Sequence, residues 1–426
     1  MERVMIDSKR RSFTRGGRDF FYLADTLWMA FSKLTLQEWE EILRMRRMQR
    51  FSVVQISALP ISHDNSADAA ALSAFGPGGF SDLNEAYFDR ACEMLELAVR
   101  YGFTPSIHLL WVNYIPDTWA GSMPTGTPMP LQDALTAVTY MVRRFKPYAP
   151  IYSISGDTRF ETERVTDYYD KAIDAVRAID PEALLTLHLA PHADVPNRLC
   201  GKIDFYTYQG GHAAGAELEN HYRFGLHYYQ KPGEKPVVNS EPPYEGHGHG
   251  HSDGRHDEKS LRCAAWQSLL SGASAGVTYG AHGLWSMHRA GQAFTNLAFS
   301  NSPFDWRTAL RLPGAWEMAS ARALFETHNL FGLGPCGLLD EKYPSIRMAA
   351  TNDLATLAVY APFACDVHLT LSLEGYDVWL YDLSTMHRLN PEIIATGEDR
   401  TTLVMPEVNA DLLYIAKKQG GAQCTP

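Results

Sequence analysis

Ile151-Tyr-Ser-Ile-Ser-Gly-Asp157, a helical stretch over 163–179 and Leu184-Leu-Thr-Leu-His-Leu189 make one strand, helix, strand unit. Each apolar run is too short for a helix and is bounded by turn residues, so it reads as a buried strand. Two parallel strands need a crossover between them, and the helical spacing of 163–179 supplies it. The same unit recurs along the chain in both directions. Strands at 20–24, 53–59 and 104–111 are followed by helical segments at 34–48, 84–101 and 131–145. Strands at 204–208, 236–239 and 275–279 alternate with helical segments at 213–229 and 259–271. With 151–155 and 184–189 included the count is eight, and eight such units close naturally into a (β/α)8 TIM barrel. A doubly wound open sheet is the alternative.

Beyond a helix expected over 306–328 the pattern changes to short strands of period two, at 355–360, 367–371, 378–381 and 412–415. These predict a smaller C-terminal all-β sandwich domain. The boundary is expected near Phe331-Gly-Leu-Gly-Pro335, which gives a barrel over 1–330 and a β domain over 331–426.

Composition narrows the class. The 426 residues are 45% hydrophobic and 12% aromatic, ample for a packed core and unlike a disordered chain. A net charge of −11, with 38 basic residues dispersed, argues against nucleic acid or an anionic membrane surface as partner. The arginines at 44, 46, 47 and 50 read as a solvated helical face, as does Lys9-Arg10-Arg11 with Arg15 and Arg18. Six cysteines, at 92, 200, 263, 336, 365 and 424, show no ligand spacing and read as reduced thiols. No secretory signal and no membrane span is visible, so a cytoplasmic location is expected. No cofactor and no metal is expected, and homo-oligomer formation is left open.

Two acidic residues end strands on the barrel rim. Asp157 closes the fourth, and Glu241 closes the seventh in Lys235-Pro-Val-Val-Asn-Ser-Glu241-Pro-Pro-Tyr244. Barrel enzymes keep their chemistry at strand C-terminal ends, and a facing carboxyl pair is the minimum equipment for cleaving a glycosidic bond. Glu241, with Tyr208 and Tyr244 as hydrogen-bond partners keeping it ionised, is assigned as nucleophile. Asp157 is assigned as acid/base, with Gly156 letting a substrate approach closely. Asp25, Trp28, Trp111, Tyr208, His212, Tyr244, His282 and Trp285 are expected to bind substrate, since sugars offer flat apolar faces and a rim of hydroxyls. The tract Glu245-Gly-His-Gly-His-Gly-His251 with His256 reads as a mobile lid, and His108 and His188 as core histidines.

The order Phe-Phe-Tyr-Leu-Ala-Asp25-Thr-Leu-Trp28, Ser-Gly156-Asp157, Asn-Ser-Glu241-Pro-Pro-Tyr244-Glu, Thr-Tyr279-Gly-Ala-His282-Gly-Leu-Trp285 resembles the apiosidase-like glycoside hydrolases. The likeness spans roughly residues 10 to 330. It implies a (β/α)8 barrel with an appended β-sandwich, and the acid/base and nucleophile roles for Asp157 and Glu241. The barrel is also similar to the large retaining-glycosidase clan, which usually carries Asn-Glu where this chain has Gly156-Asp157. The expectation is a retaining, exo-acting glycosidase on a small glycoside or oligosaccharide. A metal-assisted hydrolase or isomerase using Asp157, Glu241, His212 and the histidine tract, and a non-catalytic carbohydrate-binding protein, are the alternatives.

Overall fold

The computed structural model describes residues 2–63, 65–340 and 342–420. Cys424 and the last residues of the expected β domain lie outside the described residues. None of the five described cysteines is in a disulfide.

Eight parallel strands form one sheet: β1 (Tyr22–Thr26), β2 (Val53–Ser57), β3 (Thr104–Trp111), β4 (Ile151–Gly156), β5 (Leu185–Thr186), β6 (Tyr206–Gln209), β7 (Val237–Glu241) and β8 (Gly276–Tyr279). Their spatial order is β5-β4-β3-β2-β1-β8-β7-β6, a nearly closed barrel whose seam falls between β5 and β6. Side-chain hydroxyls help to bridge the seam. Thr186 Oγ1 donates to the Phe205 carbonyl and Thr207 Oγ1 to the Leu187 carbonyl, while the Asp204 N–H donates to Leu185. Threonine hydroxyls thus satisfy backbone carbonyls that a ladder would otherwise occupy. The fifth strand is accordingly shorter than 184–189.

The helices α1 (Leu36–Met48), α2 (Glu85–Arg100), α3 (Leu131–Phe145), α4 (Glu163–Ile179), α5 (Asn220–Tyr229), α6 (Glu258–Leu269) and α7 (Gly314–Thr327) wrap the barrel. Thr35 and Glu38 cap α1 reciprocally in a capping box, and the Asp257 carboxylate caps α6. The single helix expected over 306–328 is two, because Pro313 has no N–H to continue the ladder. Trp306–Ala309 makes one turn and α7 begins at Gly314.

At the opposite end from the rim, the N-terminal strands Val4–Asp7, Ser12–Arg15 and Arg18–Phe20 form an antiparallel sheet. Val4, Phe13 and Phe20 pack on Val53, Ile151, Phe205 and Val238, plugging the barrel floor. The run 20–24 is therefore two elements, one ending the plug and one starting β1. Arg46 also departs from its expected solvated face. It is fully buried and pairs with the equally buried Asp25 at 2.6 Å.

After α7 the chain builds a six-stranded antiparallel sheet and a three-stranded one. Leu412–Lys418 shows how they stack. Leu413 and Ile415 join the main core against the barrel, whereas Leu412, Tyr414 and Ala416 join a separate core with Val367, Leu369 and Leu403 of the smaller sheet. Period-two alternation places one sheet between two apolar layers. The Arg262 guanidinium of α6 fastens this region with a bidentate pair to Asp411 at 2.8 and 2.7 Å.

Candidate active site

β4 and β7 deliver the two carboxyls to the same rim. At the end of β4, Asp157 adopts a left-handed φ of 60°, which a short polar side chain tolerates better than most. A Cβ on Gly156 would lie 2.1 Å from the Trp111 ring, so glycine here admits the indole of the adjoining strand rather than substrate. Asp157 is half-buried. Its backbone N–H donates to His188 Nδ1 at 3.1 Å, and its carbonyl accepts from Trp119 Nε1 at 3.0 Å.

Glu241 is only 5% exposed. Its Oε1 lies 2.9 Å from His212 Nε2, and its Oε2 lies 2.9 Å from His188 Nε2. Because His188 Nδ1 accepts the Asp157 N–H, the neutral ring carries its proton on Nε2, facing the carboxylate. Burial pushes the Glu241 carboxyl up, but contact with the two imidazoles outweighs it and holds the group well below the usual carboxylate range. The Tyr244 hydroxyl accepts from Trp28 Nε1 at 3.0 Å and lines the same cavity as the Glu241 carboxylate. Burial first, and then that carboxylate, keep the phenol protonated.

Both carboxyls line one cavity of about 710 Å³ at the strand C-terminal ends. Trp28, Trp111, Tyr244 and Trp285 supply its aromatic wall, with Trp28 and Trp111 meeting edge to face at 4.9 Å. Five buried polar atoms on cavity-lining residues, Ser62 Oγ, His63 Nδ1, Gln209 Oε1, His212 Nδ1 and Trp285 Nε1, have no hydrogen-bond partner among the described residues. Leaving such groups dry and unpaired is costly, so the cavity is chemically matched to a hydroxyl-rich ligand.

Of the expected binding residues, Trp28, Trp111, His212, Tyr244 and Trp285 join Asp157 and Glu241 around the cavity. Asp25, Tyr208 and His282 do not. Asp25 lies under the rim in its ion pair with Arg46. The Tyr208 hydroxyl donates to the His221 carbonyl at 2.8 Å, away from Glu241. His282 Nε2 sits 3.0 Å from the Asn301 carbonyl, and its ring stands behind His247 at 5.0 Å.

The histidine tract is a folded hairpin, Gly248–His249 against Ser252–Arg255, rather than a loose lid. It buries His247, which lines the cavity and packs on His212 at 4.7 Å. His256 Nε2 sits 2.7 Å from the His212 carbonyl. Among the described residues no group of three or more His, Cys, Asp or Glu is arranged to hold a metal ion.

His188, His63, Trp119 and Gln209 escaped the sequence reading. His188 was legible as a strand-end residue like Asp157, but its apolar neighbours made it read as core. His63 and Trp119 come from loops after β2 and β3, whose paths no periodicity encodes. Trp111 Nε1 donates to His63 Nε2 at 3.3 Å, and burial brings the His63 pKa down to about 4, so the ring is neutral.

The family model described as "Apiosidase-like, catalytic domain" matches residues 7–332. Among solved structures, one described as "Glycoside hydrolase" is similar at a TM-score of 0.83 and 20% identity, covering 99% of this chain and 98% of its own. A glycoside hydrolase family 5 protein from Bacteroides vulgatus ATCC 8482 is similar at 0.82 and 21% identity, covering 98% and 94%. A putative glycoside hydrolase from the same organism reaches 0.69 at 16% identity, covering 98% and 82%. At these identities the structures speak for the fold. No curated protein matches the sequence. Among the described residues, no helix is long and apolar enough to cross a membrane.

Proposed function

The chain belongs to the apiosidase-like family and is a glycosidase, and on that premise we propose that it is a retaining, exo-acting enzyme with Glu241 as nucleophile and Asp157 as acid/base. One observation carries the reading: a buried carboxylate, held ionised by contacts with two imidazoles, lines the same cavity as a half-buried carboxyl. Glu241 attacks the anomeric carbon as Asp157 protonates the departing oxygen. Water, deprotonated by Asp157, then releases the sugar from the ester. Desolvation of Glu241 supports attack at carbon over activation of bulk water.

Exo action is supported by a bounded cavity, walled by segments after all eight strands, which suits a terminal sugar. We assign residues 1–330 to the catalytic unit and 331–426 to the bracing β unit.

The test is to trap the intermediate. A 2-deoxy-2-fluoro glycoside should label the peptide bearing Glu241, and the first-formed product should keep the substrate's anomeric configuration. An inverted product would refute the retaining mechanism.

A further inference from the structure

A second cavity, of about 540 Å³, lies on the barrel flank where α5 and α6 meet the 344–345 and 362–363 loops of the C-terminal β region. Its walls mix apolar faces from Leu218, Tyr222 and Phe363 with the polar groups of Ser260, Gln267 and His221. His221 is 2% exposed, and neither of its ring nitrogens has a hydrogen-bond partner among the described residues. The charged residues on the wall are Lys259 against Glu219 and Asp257, and among the described residues no arginine lines it, which disfavours an anion.

The same histidine is tied to the nucleophile's strand. Its carbonyl accepts from Tyr208 at 2.8 Å and lies 3.4 Å from Ser268 Oγ, whose proton goes to the Ala264 carbonyl at 2.7 Å. Ser268 Oγ in turn accepts from Asn239 Nδ2 at 2.9 Å, and Asn239 Oδ1 accepts the Glu241 N–H at 3.3 Å. On the ring side, a Cβ on Gly210 would lie 2.4 Å from His221 Nδ1, and the Gly210 N–H donates to the Glu241 carbonyl at 2.9 Å.

We propose that this cavity is a second carbohydrate site for a neutral mono- or disaccharide, coupled to Glu241 through His221, Ser268 and Asn239. The choice of ligand class rests on the glycosidase reading above. Aromatic faces beside an amide and hydroxyls form the composition that sugars fill. Any effect on Glu241 requires the bound sugar to favour one position of the His221 wall over another.

Cys263 lines the cavity and reports on it directly. Its alkylation by iodoacetamide, followed peptide by peptide, should slow severalfold with at least one member of a panel of neutral pentoses, hexoses and their disaccharides. Cys92 and Cys336 should be unaffected. The same sugar should change the hydrolysis rate of an aryl glycoside at saturating substrate. Gln267→Leu should remove both effects while keeping basal activity, and Ser260→Trp at the same cavity serves if that variant does not fold. No protection by any panel member, or protection that persists in both variants, overturns the site, and protection with no rate change overturns the coupling. Glu241→Gln should keep the protection and lose turnover, so the second site and the catalytic reading fail on different observations.

Discussion

The two sides of the barrel mouth handle a carboxyl in opposite ways. At the end of β7, Glu241 is buried, with an imidazole against each oxygen. At the end of β4, Asp157 is half-buried on a left-handed turn. Burial alone raises a carboxyl pKa, so the Glu241 side needs its imidazole contacts to stay ionised, whereas a half-buried carboxyl can exchange protons with solvent. One barrel rim thus holds one buried charge and one carboxyl partly open to solvent, and His188 touches both sides.

The sharpest break in that comparison is Glu241→Ala. It should lower turnover by about a thousandfold or more while the melting transition stays cooperative. Initial rates beside a thermal scan check it, and near wild-type turnover would remove the nucleophile assignment. Asp157→Asn should cost about 100- to 10,000-fold on substrates with poor leaving groups and far less on activated aryl glycosides. Equal losses on both would speak against proton donation.

Below the rim the effect should be on stability. Asp25→Ala strands the buried Arg46 charge and should cost roughly 3–5 kcal/mol, read by denaturant unfolding, with KM little changed where the protein is still folded. Gly156→Ala forces the Trp111 indole aside and should cost about 1–3 kcal/mol and lower kcat/KM. Unchanged kcat/KM there would separate Trp111 placement from substrate binding.

The broadest effect is on pH. His63, His256 and His282 have folded pKa values near 4, against an ordinary 6.5, chiefly through burial. The unfolded chain binds their protons first, so stability is full above about pH 6.5 and declines as pH falls toward 4, by about 1.4 kcal/mol per pH unit for each proton taken up. Glu241, with its lowered folded pKa, contributes stability above its ordinary 4.5 that is lost only at more acid pH. Melting temperatures that stay flat from pH 7 to 4 would contradict the histidine part.

The barrel was legible because a buried parallel strand leaves an uninterrupted apolar run and a covering helix leaves a 3.6-residue period, both local signals. The two carboxyls were legible because a strand end is also local. Asp25 and His188 show where that reading stops. Both sit near strand ends, yet one pairs with Arg46 beneath the rim and the other meets Glu241. His247, in a tract that read as a lid, became part of the wall for the same reason.

What the amino-acid order alone determined was the eight strands with their covering helices, the all-β region after them and the positions of Asp157 and Glu241 on the rim. Which rim residues turn into the cavity, and which charge is dry, only the tertiary structure decided. Burial and contact across the barrel join residues tens to hundreds of positions apart, and no local period in the chain records those distances.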